Sequence, residues 1–147
     1  MKTKILLSAS LFLLAAAGCT TIREMPKAQI EQEAATPEHK ICRELLMCFL
    51  KNDPSGFQKR LSPEASEKFD AAQFASSREA IVRSLGDPVS FRYLTTLEFM
   101  ALKPHLWAIR FHRKDKHDAD VYSEALFRII SGRADNGEVL ILGFSIL

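Results

Sequence analysis

The sequence predicts an α+β domain in which N-terminal helices pack on a four-stranded antiparallel sheet. Three observations predict it. Up to Leu85, apolar residues recur at helical spacing behind triplets that suit helix starts. From Pro88 onward the pattern changes to four stretches rich in Phe, Tyr, Ile, Val and Leu. Short turn-like segments separate those stretches, so consecutive strands pair as a meander.

At 147 residues, with 47% hydrophobic and 26% charged residues, the chain holds one globular domain with a real core and no second one. The formal charge of +2 comes from Lys2 and Lys4. Beyond them lysine and arginine balance aspartate and glutamate. A neutral domain has no basic field to capture phosphates, so nucleic acid is excluded as a partner.

The chain begins with a short positive stretch, Met1 to Lys4, followed by apolar Ile5 to Ala17, too short to span a hydrocarbon core of about 30 Å. It reads as an export signal. It ends in Leu14-Ala15-Ala16-Ala17-Gly18-Cys19, which resembles the lipobox of bacterial lipoproteins, with Ala16 at the position where that pattern favours Leu. The resemblance implies a signal peptide over residues 1–18, cleavage before Cys19, and lipid on the Cys19 thiol. Each buried methylene contributes about 0.8 kcal/mol, so two or three acyl chains hold the protein on a membrane. Thr20 stands where Asp marks inner-membrane retention, which implies an exported protein anchored to the outer membrane and facing the periplasm. An ordinary signal peptide, cut after Ala17, is the plainer alternative.

Thr20 to Ala35 carries Lys, Arg, Glu, Gln, Ala and Pro26 with few apolar residues, so residues 19–35 are expected to form a lipidated cysteine and flexible tether. The globular domain, residues 36–147, opens with Thr36-Pro37-Glu38, a cap, a first-turn proline and an acid at the positive helix end. Ile41, Leu45, Cys48 and Phe49 then recur at helical spacing, and Asn52-Asp53-Pro54 ends the helix. Ser62-Pro63-Glu64 repeats the start signal, and Ser76-Ser77-Arg78-Glu79 offers a capping box before Ile81, Val82 and Leu85. Gly86-Asp87-Pro88 is a stop. The strands are expected at Ser90 to Leu102, Leu106 to Arg113, Ala119 to Ser131 and Glu138 to Leu147. Turns are expected at Lys103-Pro104, Lys114 to Asp118 and Ala134 to Gly137, with Asn136-Gly137 the strongest hairpin signal.

Helices first and a long-stranded sheet second resembles the nuclear transport factor 2-like, or cystatin-like, α+β cone. Three stretches carry the resemblance: Phe49-Leu50-Lys51-Asn52-Asp53, the Leu85-Gly86-Asp87-Pro88 junction, and the strands around Leu106 to Phe111 and Ala125 to Ile130. It implies that the sheet curves around the helices and that the open end of the cone forms a pocket. Members include isomerases, dehydratases and noncatalytic binding or dimerising domains.

Alternation places Phe91, Tyr93, Thr95, Leu97, Phe99, Trp107, Ile109, Phe111, Val121, Ser123, Ala125, Phe127, Ile129, Leu140, Leu142, Phe144 and Ile146 on the core face. Catalytic members of the family carry an Asp or His there, and this face offers only Tyr93, Thr95 and Ser123. No catalytic residue is therefore assigned, and Tyr93, Trp107 and Ser123 are expected to line the pocket. The opposite face holds Arg110, Glu124 and Arg128 as cross-strand ion pairs among Leu94, Met100, Leu106, Tyr122, Leu126, Ile130, Val139 and Ile141. So apolar an outer face suits a homodimer or an envelope protein partner. His112, His117, Asp118 and Asp120 cluster without a ligand spacing, so no metal is expected and no cofactor motif is present. Cys42 and Cys48, six apart on one helix, read as small buried hydrophobes.

The functional expectation is a noncatalytic lipoprotein domain that binds a partner or a small apolar ligand. One alternative is an isomerase- or dehydratase-like enzyme using Tyr93 with Asp70 or Asp87. The other is a structural envelope component.

Overall fold

The computed structural model describes the backbone at residues 23–24 and the chain from 36 to 147. Met1 to Thr20, with Cys19, lie outside the described residues, as does Pro26. Four helices precede a four-stranded antiparallel sheet that is not closed into a barrel. They are α1 (Pro37–Leu50), α2 (Pro54–Gln58), α3 (Pro63–Lys68) and α4 (Ala71–Leu85), followed by β2 (Asp87–Thr96), β3 (Leu102–Lys114), β4 (Asp120–Arg133) and β5 (Val139–Ile146). A two-residue strand ahead of them, β1 (Arg23–Glu24), pairs parallel with β2, so the spatial order is β1-β2-β3-β4-β5. The expected tether thus has two of its residues in the sheet.

Each helix start follows from its cap. Thr36 accepts from the His39 amide at 3.2 Å, Asp53 from Gly56 at 2.8 Å, and Ser62 from Ala65 at 3.3 Å. Pro54 was expected only to stop α1, and it also opens α2, because a missing N–H costs nothing at a first helical position. The capping box expected at Ser76 to Glu79 lies instead at Asp70 and Gln73, whose side chains each accept from the other's amide at 2.8 and 2.9 Å. Helix α4 therefore starts six residues earlier than expected, and Ser76 donates to the Gln73 carbonyl within it at 3.1 Å. At the other end of α1, Arg78 of α4 donates to the carbonyls of Phe49 and Leu50 at 2.9 and 3.3 Å, supplying partners that the helix terminus lacks.

Gly86 ends α4 at φ +96°, and a Cβ there would meet the His112 carbonyl oxygen at 2.1 Å. Backbone conformation and contact both demand glycine. We expect Gly86→Ala to cost about 2–4 kcal/mol in chemical denaturation. A loss below about 0.5 kcal/mol would contradict this account of the helix-to-sheet junction.

The strands differ from expectation in two respects. The first hairpin turns at residues 97–101 instead of at Lys103-Pro104. Phe99 and Leu102 exchange amide bonds of 3.2 and 3.0 Å, and Pro104, inside β3, uses its carbonyl to accept from Leu97 at 2.8 Å. Strand parity also changes at irregularities between Tyr93 and Thr95 and between Ile130 and Ser131. A bulge inserts one residue and sends every later side chain to the other face. Hence Ile141 is fully buried although expected outside, while Leu97, Phe99 and Leu142, expected inside, are exposed.

The core lies between α1, α2, α4 and the inner sheet face. Trp107, Ile109, Phe111, Phe127, Ile129 and Ile141 meet Leu45, Leu46, Phe49, Phe57 and Phe74 there. Cys42 and Cys48 are free, buried thiols in this cluster, and burial pushes the Cys42 thiol up to about 12.

Candidate functional site

Two features occupy the space between helices and sheet, an apolar pocket and a buried chain of polar side chains. The pocket encloses about 370 Å³ and is lined by Phe49, Phe57, Phe69, Phe74, Ser77, Ile81, Phe127, Phe144, Ser145 and Ile146. Its walls come from three helices, the α3 terminus and two strands. Register explains the strand side, since Phe127 lies opposite Ile146 and Ile129 opposite Phe144 on the inner face. The rings lock in edge-to-face pairs: Phe57 and Phe69 each have centroids 4.8 Å from Phe144, at 88° and 77°. No lining residue is ionisable. The Ser145 hydroxyl is engaged by Arg128, which donates to it at 3.1 Å, so Ser77 on α4 carries the uncommitted polar group of the wall.

The expected lining residues are distributed differently. Tyr93 and Trp107 do meet, with centroids 5.4 Å apart, but both are buried away from this pocket. Ser123 pairs with Phe111, four positions along β4 from Phe127, which faces Trp107. At about 3.3 Å per residue that sets Ser123 roughly 13 Å from Trp107 along the strand.

Around Tyr93 and Trp107 the structure assembles groups beyond the three inner-face residues expected. Thr96 accepts from the Tyr93 hydroxyl and lies 2.8 Å from His105 Nδ1, while His105 Nε2 lies 2.9 Å from Ser131 Oγ. Ser131 donates to the Lys103 carbonyl at 3.4 Å, so its oxygen accepts from His105 and the Nδ1 of a neutral ring accepts from Thr96. All the bonds then run one way, from Tyr93 to Lys103. Removal of His105 from water, with His39 alongside, pushes its pKa down to about 4, which keeps the ring neutral. Glu38, also buried, is held below the ordinary carboxylate range. Desolvation alone would raise it, but its own backbone amide and Arg133 outweigh that.

Ser131 and His105 have the separation of a nucleophile and its base. Ser131 is nevertheless fully buried, and burial makes His105 a weak base. Two hollows of about 160 Å³ border the chain, and their charges are paired: Arg133 with Glu38, and Lys103 with Glu98 at 3.5 Å. The acids named for an enzymatic reading lie elsewhere. Asp70 is exposed and committed to capping α4. Asp87 is exposed and six residues from Tyr93 along β2, roughly 20 Å.

In the sequence Lys103-Pro104 has the character of a turn, which hides His105 at the start of a strand. Carrying the alternation of Trp107, Ile109 and Phe111 back one step reaches it. On the outer face, Glu124 pairs with Arg92, at 3.0 and 3.1 Å, and not with Arg110 or Arg128. The Arg110 guanidinium lies over the Tyr122 ring instead, at 4.4 Å. Leu94, Leu126 and Leu142 on that side are exposed. At the far hairpin His112 meets Asp120 at 2.7 Å and Lys114 meets it at 3.0 Å. Among the described residues no group of three or more His, Cys, Asp or Glu is placed to hold a metal, and no helix is long and apolar enough to cross a membrane.

No protein-family model matches the chain, and no curated protein matches it. Solved structures do. The SEC-C motif containing protein RPA3114 of Rhodopseudomonas palustris matches with TM-score 0.50 and 19% identity, over 76% of this chain and 79% of its own. A ketosteroid isomerase-like protein of Erwinia carotovora atroseptica SCRI1043 matches with TM-score 0.52 and 7% identity, over 74% of this chain and 91% of its own. At such identities the likeness concerns the fold alone, and that fold is the nuclear transport factor 2-like α+β arrangement.

Proposed function

We propose that this chain is a noncatalytic binding domain whose phenylalanine-lined pocket holds a neutral, apolar molecule, on a protein held to the outer membrane by lipid on Cys19. The observation that carries the binding role is the pocket itself: about 370 Å³ walled by six Phe and two Ile side chains with no ionisable group. Taking about 30 Å³ per water-sized unit, it accommodates about a dozen non-hydrogen atoms. Such a wall favours apolar ligands and penalises any charge brought into it. The lipobox-like Leu14 to Cys19 stretch and Thr20 support the anchoring and its address. The exposed Leu94, Leu126 and Leu142 support the outer sheet face as the contact for a homodimer or envelope protein partner. An isomerase-like reading, suggested by the name of the Erwinia protein, draws no support from Asp70 or Asp87.

Naphthalene, a neutral ten-carbon probe, tests the binding role. At ten times its Kd it should add about 1.4 kcal/mol to the stability of the folded protein, seen as a rise of several degrees in Tm. Ser77→Trp, which places an indole at the pocket wall, should abolish that rise. Equal stabilisation of both proteins would place the probe elsewhere, and no stabilisation at saturation would remove the binding role.

A further inference from the structure

We propose that the segment following Cys19 works as a strap, not a free tether: Arg23 and Glu24 add a strand to the edge of β2 and thereby hold the domain close to the bilayer in one orientation. The orientation rests on the proposed lipid on Cys19; the strap does not. Arg23 is paired with Ser90 and Glu24 with Phe91, in parallel. Those partners lie in the regular stretch of β2, between the irregularities at Pro88/Ser90 and Tyr93/Thr95, where backbone groups are aligned to accept another strand. Without β1, β2 would be an open edge of the antiparallel sheet, a feature that folded proteins cover. Pro26, two residues on, has no N–H to carry the ladder further.

Chain length then sets the reach. Sixteen free residues, 20 to 35, would let the domain stand up to roughly 55 Å from the lipid. With Arg23 paired, Cys19 is four residues away and within about 14 Å of it, whatever path those residues take. The pairing position decides which end is within reach of the lipid. Arg23 is opposite Ser90, three residues or roughly 10 Å from Asp87, which is paired with His112, so this end of the sheet falls within the reach of Cys19. The turn at Met100 lies at the opposite end, because Leu102 and His112 are ten residues apart on β3, roughly 33 Å.

Two measurements on the full chain test this. In the first, Arg23→Cys with Ser90→Cys is oxidised in the folded protein, against Arg23→Cys with Thr96→Cys as an off-register control. The paired cysteines should form a disulfide and the control should not, whereas equal or absent crosslinking overturns the strap. In the second, a fluorophore on Asp87→Cys or on Met100→Cys reports energy transfer to acceptor lipids in phosphatidylcholine vesicles carrying the protein isolated from membranes. Transfer should be at least twofold greater from position 87, and Glu24→Pro should equalise the two. Equal transfer in the parent protein, with the disulfide formed, overturns the orientation. Protein that crosslinks in register yet does not float with vesicles overturns the lipid anchor and leaves the strap standing.

Discussion

Phe57→Ala will destabilise the domain by about 3–5 kcal/mol, and naphthalene will restore part of the loss. Phe57 is 1% exposed and its ring touches Phe69, Phe74 and Phe144 at centroid distances of 5.8, 5.0 and 4.8 Å. Truncation removes the transfer energy of a buried ring and leaves its space joined to the existing pocket, so nothing collapses to refill it. The enlarged pocket should hold the probe more tightly than the parent does, giving the variant the larger ligand-induced rise in Tm. If the alanine variant fails to fold, Phe57→Leu, with a smaller loss, carries the same comparison. A Phe57→Ala protein with parental stability, or one stabilised less by naphthalene than the parent, would show that this ring is not a wall of the binding site.

Acid will weaken the fold well above the range of carboxylates. Folded His105 titrates at about 4, whereas an unfolded histidine titrates near 6.5. Between those values the unfolded chain takes up a proton that the folded chain refuses. The contribution is fully present above pH 6.5 and is lost as pH falls toward 4, with a slope approaching about 1.4 kcal/mol per pH unit. His39, Glu38, Lys103 and Glu98 all bear on the ring, the first and third against its charge and the two acids in its favour. Glu38, held below its ordinary value, adds a second loss only below about pH 4.5. Urea midpoints measured from pH 7 to 4.5 should fall in the parent and stay level in His105→Gln, which keeps neutral hydrogen-bonding groups but cannot titrate. Parallel curves for the two proteins would mean that the polar chain does not depend on a neutral ring.

The sequence carried the order of elements because caps and periodicity are local. Thr36, Asp53 and Ser62 each act on the next few residues, and the change from helical to alternating pattern falls at Gly86, where φ is positive. Bulges are not local. Whether Leu142 or Ile141 faces the core is decided by how β5 meets Ser131 on another strand, and alternation carried unbroken along β5 gives the wrong answer. The pocket was illegible for the same reason. Phe49, Phe57, Phe69 and Phe74 lie on different helical pieces, and only packing brings them to Phe127 and Phe144. The inner-face polar chain was half legible: Tyr93 was placed correctly, but Pro104 disguised the start of β3 and hid His105. The sequence marks Glu38 as an acid at the positive helix end, but its burial becomes tolerable only through Arg133, 95 residues later.

The central claim is that the phenylalanine pocket is a binding site for a neutral apolar molecule, and isotope-edited NMR with naphthalene tests it most directly. Intermolecular cross-peaks are expected from the naphthalene protons to the methyl groups of Ile81 and Ile146 and to the Phe57 and Phe144 rings, all lost in Ser77→Trp. Cross-peaks to Leu94, Leu126 and Leu142 on the outer sheet face instead, or none at saturating probe, would contradict it.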